Sequence, residues 1–193
     1  MRRLCIAATL ALCAVAAGAG EIRSSVDAAA VPQGKATPLG LYLAPADAHA
    51  ALTADPSILF IEVRDPVEVS FVGHPDGIDA NVPLEVVSHR FDPKSGGYVA
   101  EMNPDFLAQV DAVAAREGVG RDATVFVTCR SGARSAAAAR LLIAAGYTDV
   151  WNLVDGFEGD KDRASGARSV NGWRNAGLPW SYKIAAEAAW SAP

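Results

Sequence analysis

From residue 40 onward, short apolar runs alternate with segments of helical pattern. Gly40–Leu43 reads as a brief edge strand, and Pro45 to about Ala54 as a helix. Ser57–Val63 is a strongly apolar strand, followed by a short helix at Pro66–Phe71 that its proline opens. Asn81–Leu84 predicts a further brief strand. Asn103-Pro104-Asp105 has helix-start chemistry, with Asn103 as cap and Pro104 in the first position. That helix runs to about Glu117, where Gly118 and Gly120 stop it. Ala123–Thr128 predicts a strand, Ala133–Ala145 a helix ended by Gly146, and Asp149–Leu153 the last strand. Strands that are apolar throughout, interleaved with helices, predict an α/β fold. Its centre is a parallel sheet of about five strands with helices on both faces. Ligands of such sheets bind beyond the carboxyl ends of the strands.

The pattern also sets the organisation. Residues 20–38, polar and rich in Ala, Pro and Gly, read as a flexible leader. The domain spans 39–183, and 184–193 form a tail. Two connections exceed ordinary loop lengths. Residues 85–102 contain the turn Asp92-Pro93-Lys94-Ser95-Gly96-Gly97, and residues 158–172 are polar with interspersed glycine.

The first nineteen residues lie outside this pattern. Arg2 and Arg3 precede an apolar core from Leu4 to Ala17, then the small residues Ala17-Gly18-Ala19, as in a secretory signal peptide. The segment is short for a membrane span, which needs about 20 apolar residues; membrane attachment is expected only if it is retained. Cleavage near Ala19 removes two of the 17 basic residues and leaves 22 acidic ones, a net charge of −7. An acidic secreted chain does not suit nucleic acid or anionic membranes, and a periplasmic location is expected. Cleavage also removes Cys5 and Cys13, so the mature chain holds Cys129 alone. It then has no internal disulfide and no resolving thiol. Any sulfur that Cys129 takes up must pass to another molecule.

Cys129 ends an apolar run, Thr124-Val125-Phe126-Val127-Thr128, and a compact loop then leads into an alanine-rich helix. A cysteine after a buried strand is commonly an inert core residue. The flanking residues argue otherwise. A helix N-terminus favours an anion, and Arg130 and Arg134 add two cations whose missing counter-ion is most simply a substrate. A thiol held this way is expected to ionise readily, in the range of ~3.5–7.5 rather than ~8.5.

The run Cys129-Arg130-Ser131-Gly132-Ala133-Arg134-Ser135 resembles the active-site loop of single-domain rhodaneses, the thiosulfate sulfurtransferases. Upstream, Phe60-Ile61-Glu62-Val63-Arg64-Asp65-Pro66-Val67-Glu68-Val69 is similar to the family's "D-V-R-x-P-x-E" strand and turn, with Glu62 where aspartate is usual. Gly73-His74-Pro75 through Asn81-Val82-Pro83 is similar to its "G-H-I-P-G-A-x-N-I-P" segment, with one extra residue. Gly146-Tyr147, Gly156-Phe157, Gly172-Trp173 and Gly177-Leu178-Pro179 are similar to its closing elements. The resemblance spans about residues 40–180.

It implies a sulfurtransferase in which Cys129 attacks a sulfane donor such as thiosulfate and holds the sulfur as a persulfide for a thiol, protein or cyanide acceptor. The backbone of Arg130, Ser131, Gly132, Ala133, Arg134 and Ser135 would cradle the anion, with Gly132 supplying a positive φ. Arg130 and Arg134 would bind the donor's sulfonate. Ser135 would donate its hydroxyl to the sulfur, or else cap the helix. No cofactor and no metal are implied, since His49 and His89 lack ligand-spaced neighbours and Asp160-Lys161-Asp162 lacks the closing glutamate of a calcium loop.

Three other readings stay open. A cysteine-dependent phosphatase or an arsenate reductase would place five residues between thiolate and arginine, whereas four separate Cys129 from Arg134. A module that carries sulfur or binds a partner without turnover would keep the same loop. Smaller expectations attach to single residues. His74 is a structural turn residue, Arg64 an ion pair with Asp65 or Glu68, and Glu62 an acceptor reaching towards the loop. Trp173 and Trp180 are core or rim residues.

Overall fold

The structure is a computed structural model that describes residues 21–191. The expected signal segment, with Cys5 and Cys13, lies outside the described residues. The strands are β1 (Tyr42–Leu43), β2 (Leu59–Glu62), β3 (His74–Pro75), β4 (Ala80–Asn81), β5 (Glu85–Asp92), β6 (Gly97–Met102), β7 (Thr124–Thr128), β8 (Asp149–Leu153) and β9 (Trp180–Ser181). The helices are α1 (Pro45–Ala54), α2 (Pro66–Val72), α3 (Phe106–Arg116) and α4 (Ala133–Ala144).

Five strands form one parallel sheet in the order β1-β8-β7-β2-β4. Alternation along the buried strands splits the core in two. Leu59, Ile61, Val125, Val127 and Val150 face α3 and α4, where they meet Phe106, Val110, Ala138 and Leu142. Phe60, Phe126, Trp151 and Leu153 face the other side with Ala48 of α1, Phe157 and Trp173. Phe60 and Phe126 are fully buried, each contributing about 1.5–3 kcal/mol by removal of apolar surface from water. Two buried faces explain why the strands read as unbroken apolar runs.

Helix α1 matches its predicted bounds. Helix α3 starts later than expected: Asp105 holds the cap position, and Asn103 instead accepts the Asp105 amide at 3.1 Å. Asn103 Nδ2 reaches back to the Pro83 carbonyl at 2.9 Å, so its side chain joins the sheet to the helix start.

Residues 21–38 are not a loose leader. They dock along the sheet edge, where Ser25 N donates to Tyr42 O and Tyr42 N donates to Ser24 Oγ. Two 3-10 turns follow, at Ala28–Ala30 and Gln33–Lys35. Lys35 closes the docked segment onto Asp160 at 2.8 Å. The opposite edge is covered by the tail, whose Ala188 carbonyl accepts the Asn81 amide at 2.7 Å. Edge strands leave unpaired backbone groups, and both terminal segments satisfy them. The packed unit is therefore wider than 39–183.

Residues 85–102 are more than a turn. They form an antiparallel hairpin, β5–β6, with a register shift between Val87 and Phe91. Strand β9 also follows β8 and pairs antiparallel with β3, so β8 is not the last strand.

Candidate active site

Strand β7 delivers Cys129 to the carboxyl edge of the sheet, and the chain turns at once into α4. The turn depends on Gly132, the α4 cap residue, with φ of 92°. A Cβ there would be strained in that conformation and would overlap the Val154 carbonyl. The Gly132 amide is thereby aimed at Cys129 Sγ, at 3.2 Å. Ser135, one turn into α4, places Oγ 3.3 Å from the same sulfur. Both donors favour negative charge on it.

The sulfur sits at the floor of a cavity of about 510 Å³, lined by Glu68, Glu85, Val87, Tyr98 and the loop residues Cys129, Arg130, Ser131, Ala133 and Arg134. Cys129 itself is only 1% exposed, so any partner atom must descend to it. The loop is braced from below: Phe157 N donates to Cys129 O at 2.7 Å, and Glu158 N to Arg130 O at 2.9 Å. Gly156 lets the two segments approach, since a Cβ there would lie 2.5 Å from the Cys129 carbonyl.

The two arginines are unlike. Arg130 is exposed and enters none of the ion pairs among the described residues. Arg134 is not the unpaired cation expected. Its guanidinium forks onto Glu68, at 2.5 and 2.7 Å. Burial pushes the Glu68 carboxyl up, but the Arg134 hydrogen bonds and charge, with Arg64 and Arg130, outweigh it and hold it below the ordinary carboxylate range. Arg134 is raised in turn, because Glu68 outweighs the burial that opposes its charge. Glu68 also completes a capping box with Asp65 at the start of α2, which fixes where it points.

The position of Ser135 also departs from expectation. Asn152 on β8 turns its Nδ2 to two carbonyls, those of Lys35 at 3.0 Å and Gly132 at 3.2 Å. Its Oδ1 must then accept, and it takes the Ser135 hydroxyl at 2.6 Å. A hydroxyl has one hydrogen, so sulfur and amide compete for it. Ser135 does not cap α4; Gly132 holds that position.

Other expected neighbours lie elsewhere. Glu62 pairs with Arg64 at 2.7 Å, both fully buried, so it does not reach the loop, and Arg64 pairs with neither Asp65 nor Glu68. Arg64 instead packs its guanidinium 4.6 Å from the centre of the Phe157 ring. His74 is buried in the β3–β9 pair. Trp173 is buried in the core beside Phe60, and Trp180 stacks edge-on against Phe157. Asp160 is taken by Lys35 and Asn171, and Asp162 caps its own turn. Among the described residues, no group of three or more His, Cys, Asp or Glu is arranged to hold a metal ion. Sequence reasoning missed Glu85, Val87, Tyr98 and Asn152. The only sign of the first three was the excess length of 85–102.

A rhodanese-like domain model matches residues 44–163. The chain is 35% identical over 98 residues to the chloroplastic thiosulfate sulfurtransferase 16 of Arabidopsis thaliana, covering 51% of this chain and 69% of that one. It is 38% identical over 61 residues to the uncharacterized protein RP600 of Rickettsia prowazekii, covering 32% of this chain; it spans 44% of that relative's length. The crystal structure of Rv0390 from M. tuberculosis is similar at 34% identity and a TM-score of 0.56, over 74% of this chain and 97% of that one. With a family model covering well over half of its length, a parallel five-stranded sheet and a cysteine at the strand–helix turn, this chain belongs to the rhodanese-like domain family.

Proposed function

We propose that the protein is a sulfurtransferase that carries a sulfane sulfur as a persulfide on Cys129. One observation carries this reading: a lone sulfur lies at the floor of an open cavity, with the Gly132 amide and the Ser135 hydroxyl within 3.3 Å of it. Donors placed around a buried sulfur act on charge as it develops there.

With thiosulfate as donor, the Cys129 thiolate attacks the outer sulfur. The sulfur–sulfur bond of the donor breaks, and sulfite leaves with the bonding pair. The enzyme keeps a negatively charged persulfide. An acceptor thiolate, or cyanide in an assay, then attacks the terminal sulfur and returns the Cys129 thiolate. Arg130 is the cation free to meet the donor, and the backbone of residues 130–135 surrounds the persulfide. Beyond the expected signal segment Cys129 is the single cysteine, so the acceptor is a second molecule, either a small thiol or a protein. The amino-terminal pattern supports export and a periplasmic site of action.

Intact-mass measurement after thiosulfate treatment tests the reading. The expected result is a gain of roughly 32 Da that a reductant removes and that Cys129→Ser never shows. Turnover with cyanide above the Cys129→Ser background separates an enzyme from a passive carrier. No gain in mass with any sulfane donor would overturn the proposal.

A further inference from the structure

The rhodanese-like match begins at residue 44, yet the segment before it reaches the chemistry through one carbonyl. Lys35 O accepts Asn152 Nδ2 at 3.0 Å, and Gly132 O accepts the other hydrogen of the same amide at 3.2 Å. Asn152 is thereby fixed with Oδ1 towards Ser135, whose hydroxyl it meets at 2.6 Å. Cys129 Sγ lies 3.3 Å from that hydroxyl and must share its single hydrogen with the amide.

Two side chains seat the Lys35 carbonyl. The Lys35 ammonium, on a side chain only 12% exposed, meets both carboxylate oxygens of Asp160, at 2.8 and 2.9 Å. A cation so enclosed is held by its partner. Asp160 is itself fixed by Asn171, whose Oδ1 accepts the Asp160 amide at 2.7 Å and whose Nδ2 donates to Asp160 Oδ2 at 3.2 Å. On the other side, Arg140 of α4 donates to Ala36 O at 2.6 Å. The 3-10 turn Gln33–Lys35 buries no apolar side chain, so these two tethers carry its docking.

Resting on the placement of Cys129 as the nucleophile, we infer that Lys35 is a positioning residue that restrains the reactivity of Cys129. Paired with Asp160, it seats the carbonyl that turns Asn152 against Ser135, and Asn152 then draws the hydroxyl hydrogen away from the sulfur. When the segment lets go, Asn152 keeps only its bond to the Gly132 carbonyl. The amide can pivot on that bond and swing Oδ1 off the hydroxyl, which gives its hydrogen wholly to the sulfur. A hydrogen bond to the charged form favours that form, so release of the segment activates the thiol. Among the described residues Cys129 is the one cysteine. A thiol with no resolving partner is open to irreversible oxidation, and the docked segment slows that attack as well.

The experiment follows iodoacetamide labelling of Cys129 and the ultraviolet absorbance of its thiolate at neutral pH, in the full chain and without any sulfur donor. Lys35→Met, which keeps the aliphatic stem and loses the ion pair, is expected to label about two- to ten-fold faster, the worth of one net hydrogen bond, with a raised thiolate absorbance. Lys35→Arg keeps the pair and is expected to label at the wild-type rate. Loss of a nearby cation acting through charge alone would slow labelling, so the sign separates the two effects. A loosened loop would also speed labelling, so both substitutions are repeated with Ser135→Ala, where Lys35→Met is expected to make no difference. Arg140→Met cuts the second tether and is expected to act in the same direction, which keeps the test open should Lys35→Met fold poorly. The titratable groups that face the sulfur across the cavity, Glu68, Glu85, Tyr98, Arg130 and Arg134, are the same in every variant. Labelling unchanged or slowed in both Lys35→Met and Arg140→Met, or an acceleration that persists with Ser135→Ala, would overturn the inference. Failure of every sulfane donor to load Cys129 would overturn the sulfurtransferase reading and leave this labelling result standing.

Discussion

The Ser135 hydroxyl lies 2.6 Å from Asn152 Oδ1 and 3.3 Å from Cys129 Sγ, with one hydrogen to serve both. Asn152 cannot turn over to release it, because its Nδ2 is committed to the Lys35 and Gly132 carbonyls. The buried amide thus ties the docked amino-terminal segment, the loop and the hydroxyl beside the sulfur into one network. Ser135→Ala removes the hydroxyl that the sulfur and Asn152 share, a net hydrogen bond of about 0.5–1.5 kcal/mol, and should slow sulfur loading by roughly two- to ten-fold. Asn152→Ala leaves the Gly132 and Lys35 carbonyls short of a donor and should cost about 1–3 kcal/mol of stability. It also frees the Ser135 hydrogen for the sulfur, so iodoacetamide labelling of Cys129 should be kept in Asn152→Ala and weakened in Ser135→Ala. Parallel losses of labelling in both would contradict this division.

The Glu68–Arg134 pair gives stability a definite dependence on pH. The Glu68 carboxyl is held below its ordinary value of 4.5 in the folded protein. The unfolded chain therefore takes up this proton first as pH falls, and the pair's contribution is lost as pH drops below 4.5 through the folded value. Urea unfolding of wild type against Glu68→Gln should show a gap at neutral pH that closes in acid. A gap that persists or widens in acid would refute the assignment.

Tyr147 supplies an alkaline counterpart. Burial raises its phenol, the hydrogen bond to Asp111 adds to that, and Arg121 opposes it, with the result pushed up to about 12 from 10.0. The hydroxyl donates to Asp111 Oδ1 at 2.8 Å, which anchors the start of β8 to α3. Its stabilisation is complete below pH 10 and fades as pH rises towards 12. Ultraviolet titration should show a tyrosine component ionising at about pH 12, and Tyr147→Phe should remove it.

Gly132→Ala should be among the most damaging single substitutions. The residue would need a strained positive φ, costing about 1–3 kcal/mol, and its methyl would meet the Val154 carbonyl. The loop must shift to relieve this, moving the amide away from Cys129. Circular dichroism should show a protein that retains its secondary structure with a lower melting temperature, and persulfide formation should fall further than the folded fraction does.

The elements differ in how readable they were. Helix α1 and strands β7 and β8 were legible because proline starts, glycine stops and apolar runs are local signals. The hairpin β5–β6 was read only as a turn. Its strands carry solvated faces and project from the sheet, so they lack the continuous apolar run that marks a core strand. The docking of 21–38 was illegible for a related reason: polar residues with little apolar surface gain their place by pairing with an edge, and no local pattern announces the edge.

The sequence by itself determined the α/β sheet and the cysteine at the end of its central strand. It also determined the loop that turns an amide towards that cysteine, since each rests on residues close together in the chain. The tertiary structure alone decided what surrounds the sulfur. Glu68 reaches Arg134 across 66 residues and Asn152 reaches Ser135 across 17, while the hairpin folds back to form the cavity wall. Such contacts depend on how strands lie side by side. The charge a donor meets is therefore set by packing and not by the order of residues around Cys129.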